Sequence, residues 1–277
     1  VPKYARRINR GRFFSPALAI LTRWGEAASL RGREGTRGRT RALPGRLAEK
    51  ILGSVVKTPA VRDLRARLEK GGVLSFAGVH PAAQPFLVFL VRELFPGRTI
   101  VAVTEGVKAQ ESFHQDLETW FSRKGKQKEG LLYYPSWEIL PHDSRLPHSD
   151  VISERLQTLV ALSARDSRER KGDSRELVAP EVVVTNVTAL LQKTFPMEEL
   201  RKGTRILRKG ERLDPLDLIE WLEDHGYEPE AQVTSKGEIA LRGGIVDVYP
   251  PPSPWPVRIE FFGDEIESLR QFDPHTQ

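Results

Sequence analysis

The sequence contains no cysteine, which excludes disulfides, thiolate zinc sites, iron–sulfur clusters and cysteine nucleophiles and is compatible with a reducing compartment. It has no run of about 18 apolar residues, the length that a membrane-spanning helix needs, so a soluble chain with no membrane partner is expected. It has no Ser/His/Asp arrangement, no paired-carboxylate motif and no dinucleotide glycine fingerprint. Methionine occurs once, at Met197. The chain opens on Val1 and stops at Gln277 directly after a predicted strand pair, so it is expected to be a segment of a longer polypeptide.

What is present fits a folded protein. A length of 277 residues predicts one large domain or two modest ones, and 39% hydrophobic with 29% charged residues rules out wholesale disorder and collagen-like repetition. The formal net charge is +6, which taken alone suggests nucleic acid. Split along the chain, the sign changes. Residues 1–50 hold thirteen Lys and Arg against three acids, a balance of +10, and residues 51–277 carry −4. The stretch from Arg31 to Arg41, RGREGTRGRTR, has no apolar periodicity and is expected to be disordered. It reads as a solvated tail, as a phosphate-binding arm or, by its arginine-rich and acid-poor character, as a transit peptide.

After Lys50 the pattern alternates. Val73 to Ala77 reads as a buried strand, Pro85 to Phe95 as a helix, Thr99 to Val103 as a strand, Val107 to Phe121 as a helix and Leu131 to Tyr134 as a strand. Val151 to Arg165 places Ile152, Leu156, Leu159 and Val160 on one helical stripe. The polar stretch Ala164 to Glu176 reads as a surface loop. Glu181 to Thr185 is β-branched, with Asn186 a candidate N-cap for a following helix. Such alternation implies crossover units and a mostly parallel sheet over residues 51–203. From about Thr204 the pattern becomes a strand at Arg205 to Arg208, a helix capped by Asp214-Pro215 and closed by Gly226, and then short strands at Glu230 to Val233, Gly237 to Leu241, Ile245 to Tyr249, Val257 to Phe262 and Glu265 to Leu269. An antiparallel α+β domain over 204–277 follows.

Chemistry is sparse. Between the first predicted strand and the first helix, where a phosphate loop would lie, the chain reads Gly78-Val79-His80-Pro81-Ala82-Ala83-Gln84-Pro85. Alanine, glutamine and proline (Ala83, Gln84, Pro85) stand where glycine, lysine and a hydroxyl are required, so Gly78 opens a loop that is not expected to bind ATP. His142, Asp143, His148 and Asp150 lie close together, but their spacing matches no common metal-ligand set, and a loop of turn-forming residues is expected. In VRIEFF, if Val257, Ile259 and Phe261 face the core, Arg258, Glu260 and Phe262 share the opposite face, which Arg242 can join from the neighbouring strand. Exposed aromatic and arginine pairs make interface hot spots. The alternative is a solvated sheet surface with Phe262 covered by a neighbour.

GEIALRGGIVDVYP (237–250), PVRIEFFGDEIESLR (256–270), FDPHTQ (272–277) and YPSWEILPHDS (134–144), the last continuing through Pro147, Asp150, Ile152, Ser153, Arg155 and Leu156, closely resemble the amino-terminal, UvrB-homologous module of the bacterial transcription-repair coupling factor family (Mfd). The resemblance covers about residues 55–277. UvrB itself is a lesser match because it keeps a working phosphate loop. The resemblance implies a degenerate RecA-like lobe over residues 51–203 and a small UvrA-docking domain over 204–277, with the family's UvrA contacts falling on Arg242, Arg258 and Phe262. It implies a UvrA-recruiting adaptor for transcription-coupled nucleotide excision repair, with no cofactor and no catalytic residue in this chain. ATP and Mg²⁺, RNA polymerase binding and translocation on DNA would belong to domains beyond Gln277, and DNA would be met indirectly or through the basic leader. Two alternatives stand beside it: a UvrB-like nucleotide-dependent repair protein, and a nucleic-acid-binding protein acting through its leader. Alanine at Arg258 or Phe262 is expected to weaken UvrA binding and leave the fold intact. If the leader binds nucleic acid, deleting residues 1–50 abolishes the retention of the chain on DNA or RNA, and retention of the full chain falls steeply with salt; a filter-binding salt series compares the two.

Overall fold

The computed structural model describes residues 18–20, 52–122, 130–139, 147–171 and 181–275, with side chains at all of these except 18–20 and 164–171. In chain order the elements are β1 (Leu18–Ile20), α1 (Pro59–Lys70), α2 (Gln84–Leu94), β2 (Ile100–Thr104), α3 (Val107–Ser122), β3 (Leu131–Tyr134), α4 (Ser149–Lys171), β4 (Val182–Asn186) and α5 (Val187–Leu191). Then come α6 (Met197–Lys202), β5 (Arg205–Leu207), α7 (Pro215–Asp224), β6 (Glu228–Pro229), β7 (Glu238–Arg242), β8 (Ile245–Val248), β9 (Val257–Phe262) and β10 (Glu265–Gln271). By internal contacts the chain divides into two compact units, one made of Ala28–Ser136 with Val178–Leu191, the other of Val1–Ala27, Trp137–Leu177 and Gln192–Gln277.

The first unit is α/β. Its sheet has the order β2-β4-β3 with both pairings parallel, as strands joined through helices require. The central strand is a valine run with all five residues buried, the signature of a strand covered on both faces. Phe89 of α2 and Leu117 and Phe121 of α3 pack on Leu131, Val182 and Val184. Arg92 of α2 pairs with Glu181 at the entry to β4 and lies over the Phe121 ring. At the other end of the strands, Gln110 of α3 is fully buried. Its Nε2 donates to the Tyr134 and Val184 carbonyls at 3.0 Å each, and its Oε1 accepts from Asn186 Nδ2 at 2.6 Å. Asn186 Oδ1 in turn accepts from Ala189 N at 2.8 Å. This is the expected cap, and it is tied into a buried network.

Two expectations fail in this part of the sequence. Val73 to Ala77 is not a strand: it has no regular secondary structure, Val73 is 99% exposed, and no strand among the described residues pairs with it. Five apolar residues are compatible with a buried strand, but a strand exists only by hydrogen-bonding to a neighbour. The polar stretch after Ala164 also differs, since α4 continues to Lys171. A helix already nucleated on an apolar stripe propagates through Arg, Glu and Lys, which are good helix formers without any core contact.

The second unit holds the apolar stripe of α4, where Leu156 and Val160 meet Leu200 of α6, with Ile152, Leu159 and Phe195 packed against them. β1 pairs in parallel with β5; the rest of residues 1–50, including the Arg31 to Arg41 run, lies outside the described residues. The larger sheet has the order β10-β9-β8-β7-β6. It is mixed rather than wholly antiparallel, because β6 runs parallel to β7. The strand expected at Glu230 to Val233 is replaced by the two-residue β6. Glu238 Oε2 accepts from Thr234 N at 2.7 Å and Ser235 N at 2.8 Å, which turns the chain where a strand would otherwise continue. Helix α7 starts as expected, with Asp214 Oδ1 accepting from Leu216 N at 2.8 Å and Pro215 in the first turn. Gly226 follows its end at φ 84°, a conformation that suits glycine. Leu218 and Leu222 of α7 pack on Ile239, Val246, Ile259 and Ile266 of the sheet.

Replacing Gln110 with leucine takes the side-chain donor from the Val184 carbonyl and the acceptor from Asn186 Nδ2, while the Tyr134 carbonyl keeps Thr185 Oγ1 at 2.9 Å. The unfolding free energy is expected to fall by about 2 kcal/mol, read as a lower urea midpoint at unchanged slope. An unchanged midpoint would show that the network does not hold the strand ends.

Candidate protein-docking face

The register of β7, β8 and β9 decides which side chains share a surface. Val257, Ile259 and Phe261 point inward and are buried, so Arg258, Glu260 and Phe262 point outward. Arg242 pairs with Ile245 and Ile245 with Glu260, which puts Arg242 on the same outward side, two strands or about 10 Å from Glu260. The neighbouring row is Ala240, Asp247, Arg258 and Arg270. Arg242, Arg258 and Phe262 therefore share one face. Leu241, on the inward side beside Val246, is partly exposed because β6 stops at Pro229, two residues short of shielding it.

Phe262 is 81% exposed at the end of β9; it is not covered by a neighbour within the described residues. The turn beside it is tight. Gly243 has φ 60°, Gly244 accepts from Phe261 N at 2.8 Å through its carbonyl, and a Cβ at Gly244 would stand 3.0 Å from the Phe261 carbonyl oxygen. Only glycine lets the β7–β8 hairpin lie this close to the strand that carries Phe262.

The two arginines are held differently. Arg258 donates from Nε to Asp247 Oδ1 and from Nη2 to Asp247 Oδ2, both at 2.7 Å, and its guanidinium lies 4.8 Å from the centre of the Phe272 ring. Asp247 is 1% exposed on the central strand, while the Arg258 side chain keeps 18% of its surface. The hydrogen bonds to Asp247 raise the Arg258 pKa above its ordinary value, against an opposing effect of burial. Arg242 donates from Nε and Nη2 to the Ala231 carbonyl at 3.3 and 3.0 Å and is exposed. Glu260, between them, accepts from Ser268 Oγ at 2.6 Å and pairs with Arg270, so its charge is balanced within the sheet.

Elsewhere the second unit ties α4 to the loop before β7. Lys236 Nζ donates to Ser153 Oγ at 2.7 Å with Asp150 3.9 Å away. Burial lowers the Lys236 pKa, with Asp150 and Glu154 opposing the shift. No cluster of three or more metal-ligating side chains exists among the described residues; His142 and Asp143 lie outside them, and His148 Nδ1 accepts from Asp150 N at 3.3 Å. Where a phosphate loop would lie, Pro81–Ala83 is a short 3₁₀ turn capped by His80, and α2 begins at Gln84 with Pro85, which has no N–H, in its first turn. Gly78 lies in a turn, Ala83 closes the 3₁₀ turn, and Gln84 and Pro85 open α2 without a side-chain cap and with no buried strand leading into it.

Asp247 is the residue that sequence reading misses. Its signal is visible afterwards: in Ile245-Val246-Asp247-Val248 an acid alternates against two valines, opposite a strand that carries an arginine. Its burial corrects one expectation, that alanine at Arg258 leaves the fold intact. Removing the guanidinium leaves a buried carboxylate unpaired, so Arg258→Ala is expected to cost about 3 kcal/mol of stability, whereas Phe262→Ala changes it by less than about 0.5 kcal/mol. Thermal denaturation of the two variants checks the contrast, and equal stabilities would refute it.

Among the described residues no helix is long and apolar enough to cross a membrane. Residues 206–277 match the UvrB interaction domain family. The chain is similar to the transcription-repair-coupling factor of Escherichia coli, 38% identical over 141 residues, which is 51% of this chain and 11% of that protein. The Haemophilus influenzae protein of the same name is 35% identical over 149 residues, 54% of this chain and 12% of its own length. The Staphylococcus aureus one is 28% identical over 202 residues, 72% and 15% respectively. The chain spans only a small part, 11–15%, of the length of these relatives. Residues 206–277, which carry Arg242, Arg258 and Phe262, match the UvrB interaction domain family, and over about half or more of its length the chain is similar to transcription-repair-coupling factors.

Proposed function

We propose that the outward face of β7–β9 docks UvrA, and that the chain acts as the UvrA-recruiting adaptor of a bacterial transcription-repair coupling factor in transcription-coupled nucleotide excision repair. The observation that carries this reading is a phenylalanine 81% exposed at a strand end, on the same face as two anchored guanidiniums. A solvated sheet surface has no use for such a ring. In an interface it supplies desolvated contact area while the arginines supply direction and polar contacts. The relatives' name and the matching domain family support the same assignment.

The chain's part in the pathway is recruitment rather than chemistry. Ala83, Gln84 and Pro85 offer a phosphate neither a cation nor a hydroxyl, so the ATP-driven translocation on DNA and displacement of stalled RNA polymerase belong to further domains of the parent protein. Contact with DNA runs through the partner, and the setting is the bacterial cytoplasm.

Phe262→Ala is expected to weaken UvrA binding by roughly 1–3 kcal/mol at unchanged stability, and the variant with Arg242, Arg258 and Phe262 all replaced by alanine to lose specific binding. A calorimetric titration of purified UvrA reads both. Equal affinity for the wild-type and triple-variant chains would refute the docking face.

A further inference from the structure

We propose that Asp247 is a positioning residue of the docking face: it fixes Arg258 in advance, so that this arginine meets the partner through one preset edge with its charge already balanced, and leaves Arg242 as a cation of the face with no ion pair among the described residues. The inference rests on the UvrA reading above and deepens it.

A guanidinium has five N–H donors arranged along two bidentate edges, one formed by Nε with an Nη group and the other by the two Nη groups together. Asp247 fills the Nε/Nη2 edge of Arg258 with two bonds of 2.7 Å. Arg242 is held by the same edge, with Nε and Nη2 both on the Ala231 carbonyl. In both residues the Nη1/Nη2 edge is left for a partner, and a planar carboxylate is the acceptor that fits it. The anchors differ in charge. Asp247 is a carboxylate and cancels the charge of Arg258 at close range, whereas a backbone carbonyl leaves Arg242 with its full charge.

Burial separates the two roles further. Asp247 is 1% exposed and the Phe272 ring lies against the Arg258 guanidinium, so Arg258 is frozen before any partner arrives and loses little rotamer freedom on binding. Arg242 is exposed and carries the long-range attraction. Charges of the exposed, uncompensated kind govern association and its salt dependence; hydrogen-bonded, desolvated ones govern dissociation. The partner surface that fits is one with two carboxylates and an apolar recess for Phe262.

The test measures association and dissociation of the full 277-residue chain on immobilised UvrA at low and at physiological salt. Asp247→Asn is expected to speed dissociation roughly tenfold, while association is no slower and becomes more salt-dependent, because the charge of Arg258 is unmasked. Loss of structure alone would not produce that combination. In the Arg258→Ala background, Asp247→Asn is expected to leave dissociation unchanged. Arg242→Ala is expected to slow association and flatten its salt dependence. If Asp247→Asn compromises folding, Phe272→Ala replaces it: the ring is removed and the ion pair kept, and dissociation is expected to quicken only when Arg258 is present. Dissociation that is unaffected by Asp247→Asn or by its replacement, or that quickens equally without Arg258, overturns the positioning role. Arg258→Ala that leaves binding unchanged also overturns the positioning role, whereas a triple variant of Arg242, Arg258 and Phe262 that binds like the wild type fails the UvrA reading instead.

Discussion

A carboxylate with 1% exposure on the central strand of a sheet is a strong constraint, because an unmatched charge there costs several kcal/mol. Asp247 is matched by Arg258 from the adjacent strand, and that match holds only in the register that sets Asp247 opposite Arg258. A slip of β8 by one residue would turn Asp247 to the inner face, away from Arg258, and bring Val246 and Val248 out. The pair and the apolar alternation around it therefore select the same register. That register also carries Phe262 and Arg242 to the outer surface, so the proposed docking face is a by-product of how the sheet keeps its one buried acid satisfied.

The parts of the fold that were legible in the sequence are those in which periodicity and burial coincide. Val257 to Phe262 alternates and Val182 to Thr185 is uniformly β-branched, and each behaves as its pattern says. Asp214, Pro215 and Asn186 are legible because a capping side chain acts on N–H groups only two or three residues away. The failures share a cause, which is that the deciding partner lies elsewhere. Val73 to Ala77 has strand composition but no strand beside it. Glu230 to Val233 is displaced by Glu238, whose carboxylate gathers the Thr234 and Ser235 N–H groups into a turn. The polar end of α4 is helical because of what precedes it. Of the candidate site, three residues were legible from alternation and resemblance; Asp247 was not, because its role depends on a cross-strand partner and on burial that no local pattern reports.

The formal charge of +6 takes on a different meaning at this scale. It is the sum of a basic leader and a mildly acidic body, and inside the body the charges on the outer sheet face are largely settled among themselves: Arg258 with Asp247, Arg270 with Glu260. Net charge therefore describes this surface poorly. An exposed cation with no ion pair among the described residues, beside an exposed ring, is a local property, and it survives whatever the rest of the chain contributes.

The spacing between the two guanidiniums has a further consequence. Arg242 and Arg258 are rooted on strands separated by β8 and offset by two residues along the strand direction, which fixes their backbones at about 12 Å from the strand spacing and rise alone. This span works as a ruler set by main-chain hydrogen bonds. Substitutions at the face can change how tightly a partner is gripped, but they cannot lengthen or shorten the ruler. A partner that evolves together with this face must keep its own acceptors at the matching interval.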